Sequence, residues 1–212
     1  MRAAHGTITD RSPTIAATPR ANASATSCSH YLETRRGQCV SMPVLFLILG
    51  ERLGLDLALA QAPCHIFVRH RLEDGRVGNI ETTSGGHPAR AEWFGRNFAL
   101  SERALESGLY MRSLSRREGV ALMAVTVLEW LRAGRRHEEL IEACEIVLRH
   151  HPRDAVTMVI QGSACGALLE ELRERYSAPF LIPAHLRMRQ ARLAERNFSL
   201  IAAARAMGWE PE

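Results

Sequence analysis

The sequence predicts an α+β fold, in which one apolar helix packs on a small antiparallel sheet and an all-α region follows. Three observations predict it. Val40 to Leu53 is the most apolar run of the chain and closes at Gly54. The stretch from Leu55 to Thr83 is rich in strand formers broken by turn residues. From Ser115 onward, helix start and stop signals recur at helical spacing. The 212 residues suit one ordinary domain or a small domain with an appendage. They divide into 1–30, expected to be disordered or loosely attached; 31–114, the α+β core; and 115–212, the helical region.

A strand is possible for a run this apolar, but its length favours a helix. With apolar residues on every side it should be wet on no face and lie at the centre of a core. Pro43 fixes its start, because proline is tolerated in the first turn and costs about 3 kcal/mol deeper in. The helix therefore begins near Val40, with Cys39 at its positive end, and Gly54 closes it. Leu55 to Gln61 reads as a buried strand interrupted by Pro63. The alternating stretch from His65 to His70 is a second strand. Glu73-Asp74-Gly75 is a turn, and Val77 to Thr82 is the returning strand. Ser84 to Pro88 reads as a loop. Trp93, Phe94 and Phe98 cover one edge of the core, and Ser101 caps a short helix that stops at Gly108.

Ser115 and Glu118 form a capping box for a helix from Arg116 to Ala133. A second helix runs from His137 to His150, and a third, capped by Asp154, from Ala155 to Arg175. Pro179 and Pro183 separate a last helical pair that ends near Gly208. Paired helices punctuated by Pro152 and Gly162 suggest tetratricopeptide-type packing. The full signature is absent, since Leu128 stands where the pattern has a small residue and Leu140 where it has alanine. At most one and a half units fit, so these helices should lean on the core.

Composition narrows the function. The net charge of +4 is mild and the arginines are spread out, so a nucleic-acid partner is not expected. No run is long and apolar enough for a membrane span, and the first thirty residues lack the continuous apolar segment of a secretory signal. Five cysteines at irregular spacing give neither a disulfide framework nor a metal motif. The expectations are a reducing, cytoplasmic setting, no metal and no cofactor. The chain contains no lysine, so no side chain of its own could accept an acyl group as an amine.

The chemistry concentrates at Cys39, His65 and the strand that carries Asn79 and Glu81. A helix N-terminus stabilises a thiolate, and Gly37 leaves room for an approaching substrate. The competing reading of Cys39 alone is a small buried apolar residue. A thiol nucleophile needs a base, and the base needs a third group to hold its tautomer. Glu81 supplies that group only if the hairpin loop around Asp74-Gly75 has odd length or a bulge. A two-residue turn would put Glu81 on the face opposite His65. Gln38 is a candidate oxyanion or substrate contact, with a solvent-facing turn residue as the alternative. His87 could touch substrate.

Four segments carry a family resemblance: Arg36-Gly37-Gln38-Cys39-Val40-Ser41, Glu51-Arg52-Leu53-Gly54-Leu55, Ala62-Pro63-Cys64-His65-Ile66-Phe67-Val68-Arg69, and Asn79-Ile80-Glu81-Thr82-Thr83-Ser84-Gly85-Gly86. They resemble the bacterial transglutaminase-like family with tetratricopeptide-type helices at the C-terminus. The resemblance covers Tyr31 to Gly86 and, more loosely, the helices to Tyr176. It implies a transglutaminase-like core with Cys39 as nucleophile, His65 as base and Glu81 as orienting acid, where the family's usual residue is aspartate. Asn79 is the alternative orienting residue. The expected function is a cysteine hydrolase or acyltransferase acting on an amide or ester of a peptide or protein. The alternative is a non-catalytic module that binds a protein partner through the C-terminal helices and retains a degenerate core. Cys64 stands where glycine or a polar residue is expected and reads as a small filler.

Overall fold

The computed structural model describes residues 28–34, 37–176 and 178–211. The expectation of a loose N-terminus lies outside the described residues as far as residue 27. From Cys28 the chain is helical, in α1 (Cys28–Thr34). The chain is α+β, with a small four-stranded antiparallel sheet and helices elsewhere. It forms two compact units that meet in sequence at Thr126 and Val127.

The first unit carries the sheet. Helix α2 (Ser41–Arg52) starts where Pro43 requires, with Val40 as N-cap. It ends in paired bonds from Gly54 N–H to Glu51 O and from Leu55 N–H to Gly50 O, a Schellman closure. Its inner face joins a core of Val40, Leu59, Ile66, Val68 and Leu122. Its outer face corrects the expectation of a fully buried helix, since Ile48 and Leu49 are 43% and 48% exposed. Apolarity on all sides does not bury a helix that has a sheet on only one of them.

Strands β1 (Asp56–Ala62), β2 (His65–Arg71) and β3 (Val77–Glu81) form the expected meander. The β1–β2 register runs from Asp56 opposite Arg71 to Ala62 opposite His65. Only Pro63 and Cys64 remain to turn the chain, and Cys64 adopts φ +52°. A left-handed φ favours glycine, so Cys64 holds a strained turn position. The β2–β3 register pairs Arg71 with Val77 and Val68 with Ile80. The intervening loop is therefore odd in length. Gly75 N–H bonds Leu72 O at 2.9 Å, and Gly75 then takes φ +81°, the pattern of a three-residue hairpin loop.

Beyond β3, Thr82–Ser84 forms a 3₁₀ turn. His87–Ala89, expected as loop, is a short fourth strand, β4, paired with β3. Gly86 between them has φ +76°, and a Cβ there would come within 2.6 Å of the Phe46 ring. Only glycine lets this loop lie on α2. Helix α3 (Ala91–Asn97) follows and buries Phe94 against Phe67. Helix α4 (Glu102–Glu106) is capped by Ser101 as expected. The segment after α4 bonds the outer edge of β1, through Met111 N–H to Gln61 O and Leu114 N–H to Leu59 O. Helix α5 (Arg116–Met123) carries the capping box and lies in this unit. The single helix expected to Ala133 is broken at Ala124, and α6 (Val125–Ala133) follows.

The second unit is helical. Helix α7 (His137–His150) and helix α8 (Ala155–Arg175) match the expected spans. The expected last pair is a single helix, α9 (Ala184–Ala206), because both prolines precede it. Helix α8 packs against α7 and α9. Gln161 Nε2 donates to Ile141 O at 3.1 Å and Asn197 Nδ2 to Gly162 O at 2.8 Å, which ties α8 to both neighbours. Among the described residues no helix is long and apolar enough to cross a membrane.

Candidate active site

The site is built at one end of the sheet in the first unit. Cys39 sits in the turn that leads into α2. This turn is held by its own backbone. Ser41 Oγ accepts from Gln38 N–H at 3.0 Å, and Met42 N–H donates to Gln38 O at 3.0 Å. The Cys39 N–H makes no hydrogen bond among the described residues, so it remains a free donor at the positive end of the helix. The Cys39 side chain is half-buried and packs against the α2–sheet core.

His65 opens β2, immediately after the Pro63-Cys64 turn. Glu81 closes β3. The odd loop between these strands sets Glu81 on the face of the sheet that carries His65 and Phe67. His65 Nε2 and Glu81 Oε2 are 2.6 Å apart, and the two side chains are only 11% and 5% exposed. The Cys39 side chain also interacts with His65 and acts to raise its pKa.

Burial works against a charged imidazole. The hydrogen bonds to Cys39 and Glu81, with the charges of both, outweigh it and raise the His65 pKa to about 9. Burial likewise works against the Glu81 carboxylate. Hydrogen bonds from His65 and Thr83 outweigh that, and the carboxyl is held below its usual range. These directions favour an imidazolium beside the Glu81 carboxylate.

Thr83 completes the arrangement. Its backbone N–H donates to Glu81 Oε1 at 2.8 Å, and its hydroxyl donates to the same oxygen. One carboxylate oxygen is thereby fixed by Thr83 and the other is left for His65. Phe98 stacks on the His65 ring with centroids 5.1 Å apart and planes 15° off parallel. Sequence reasoning missed both residues. A hydroxyl two positions after a carboxylate is the usable signal for Thr83. Phe98 gave none beyond its aromatic character.

Among the described residues the other candidates make no hydrogen bond to the imidazole. Asn79 Nδ2 donates to Ala89 O at 3.3 Å, so Asn79 serves the β3–β4 edge and the histidine's partner is Glu81. Gln38 holds the turn through its main chain, and its side chain makes no hydrogen bond among the described residues. Among the described residues no group of three or more His, Cys, Asp or Glu side chains is placed to hold a metal ion.

No protein-family model, no curated protein and no solved structure matches this chain.

Proposed function

We propose that the chain is a cysteine-dependent hydrolase or acyltransferase that acts on an amide or ester through Cys39, His65 and Glu81. In this reading the first unit is a transglutaminase-like core and the later helices are of tetratricopeptide type. The observation that carries the proposal is His65, whose imidazole lies 2.6 Å from Glu81 and interacts with the Cys39 side chain. A buried imidazole between a thiol and a carboxylate is the arrangement that nucleophilic thiol chemistry requires.

The Cys39 thiolate attacks the carbonyl carbon, a C–S bond forms, and the carbonyl electrons move onto oxygen. The free N–H of Cys39 is one donor for that oxyanion. Collapse expels the amine or alcohol, which takes the proton held by His65. The neutral imidazole then accepts a proton from water or an acceptor amine as it attacks the thioester. Release of the acid or the new amide regenerates the thiolate–imidazolium pair. Glu81 holds the ring throughout and offsets its charge.

An activated ester tests this. With p-nitrophenyl acetate, intact-mass analysis and peptide mapping should find an acetyl group on Cys39. The adduct should be absent in Cys39→Ala and strongly reduced in His65→Ala. Acetylation elsewhere, or at Cys39 with no dependence on His65, contradicts the proposal.

A further inference from the structure

Glu81 meets His65 on one side and lines a cleft of about 500 Å³ on another. Strand β4 and helix α3 supply the other walls, with His87, Arg90, Glu92, Trp93 and Arg96 facing the space. Arg90 and Arg96 form no ion pair or hydrogen bond among the described residues. In the same unit Arg71, Arg76, Arg112 and Arg116 each hold a carboxylate. Glu92 also lines the cleft, one helical turn before Arg96, yet it pairs with neither arginine. The Glu81 carboxylate is already committed to His65 and Thr83. The cleft thus presents two uncommitted guanidinium groups against one uncommitted carboxylate, beside an indole that is 39% exposed.

An aromatic row connects this cleft with the imidazole. His65 stacks on Phe98, and Phe98 meets Trp93 at 5.9 Å between centroids. An extended peptide advances about 3.3–3.6 Å per residue. A group a few residues from a carbonyl at Cys39 therefore reaches Trp93 and the arginines beyond it. Guanidinium is the side chain best matched to a planar carboxylate.

The geometry points to this cleft as a subsite for a carboxylate on the acyl substrate, held by Arg90 and Arg96 with the adjacent residue against Trp93. The inference rests on the thiol reading of Cys39 and names the substrate class: peptides that carry an acidic side chain, or a terminal carboxylate, a few residues from the reacting carbonyl.

Three alkylating peptides test it and separate the two carboxylate sources. Iodoacetyl-Gly-Glu-amide carries the side-chain acid, iodoacetyl-Gly-Gln with a free C-terminus carries the terminal acid, and iodoacetyl-Gly-Gln-amide is neutral. The rate at Cys39 is read by peptide mapping. At least one acidic probe should label about tenfold faster than the neutral one. That ratio should fall to near one in Arg90→Ala/Arg96→Ala and invert in Arg96→Glu. A ratio near one in the parent protein, or one retained in the double variant, overturns the subsite while leaving the thiol reading intact. Labelling of Cys39 that ignores His65→Ala overturns both.

Discussion

Each unit of the chain holds cysteine, and the surroundings differ in kind. In the helical unit Cys144 and Cys165 are 0% exposed, and burial pushes their thiols up to about 12 and about 11. In the sheet-bearing unit Cys39 is half-buried and interacts with an imidazole that Glu81 holds. One buried carboxylate in each unit shows a similar contrast. Asp154 is closed by Thr157 three residues on, which finishes a helix. His65 and Glu81 are sixteen residues apart in sequence and finish nothing local. Burial alone silences a thiol, whereas burial beside an imidazole and a carboxylate sets up proton transfer.

The largest effect that would break this contrast is labelling selectivity. In the folded protein, iodoacetamide near neutral pH should modify Cys39 about a hundredfold faster than Cys144 or Cys165, because only a thiolate is nucleophilic. Comparable rates at the three positions would erase the distinction. Stability should sharpen it next. Glu81→Ala strands a buried imidazole charge and should cost about 3 kcal/mol in urea unfolding. Asp154→Ala removes a helix cap and should cost about 1 kcal/mol without changing Cys39 labelling. An equal cost for both would mean that the His65–Glu81 pair is an ordinary surface-grade contact.

The pH dependence of stability follows from the direction of each shift. His65 is raised, so its contribution is complete below its ordinary value of about 6.5 and is lost as pH rises through about 9. Glu81 is lowered, so its contribution is present above the ordinary carboxylate range and is lost as pH falls below it. In the helical unit the raised thiols place the alkaline loss higher, from the ordinary thiol value toward about 11 and about 12. Hydrogen exchange mapped by peptide should show the sheet unit loosening between neutrality and pH about 9, and His65→Ala should flatten that limb. Loosening of the helical unit over the same range would contradict the assignment. The smallest effect belongs to Thr83. Loss of its hydroxyl in Thr83→Ala should cost about 1 kcal/mol and slow Cys39 labelling slightly, whereas Thr83→Ser should restore both. No difference between the two variants would remove the hydroxyl from the account.

Legibility in the sequence followed the strength of local constraints. Pro43 fixed the start of α2, and Ser101, the Ser115–Glu118 capping box and Asp154 fixed the starts of α4, α5 and α8, because these signals act through backbone bonds a few residues apart. The fate of Glu81 depended on loop parity, which Asp74-Gly75 alone leaves open between a two-residue and a longer turn. Strand β4 was illegible, since three residues including Pro88 carry no periodicity. The exposed flank of α2 was illegible for the opposite reason, as Ile48 and Leu49 are apolar but have no sheet to face. The stack of Phe98 on His65 is set by where α3 ends in space, and no spacing in the chain encodes that.

The measurement that bears most directly on the site is the pH profile of Cys39 alkylation, taken with and without His65. Reaction that persists on the acid side of neutrality, and that falls about tenfold or more near pH 6 in His65→Ala, is the outcome expected of a thiolate held by an imidazolium. A profile unchanged by His65→Ala would contradict it, and would leave Cys39 as a core-packing residue in a chain whose function lies elsewhere.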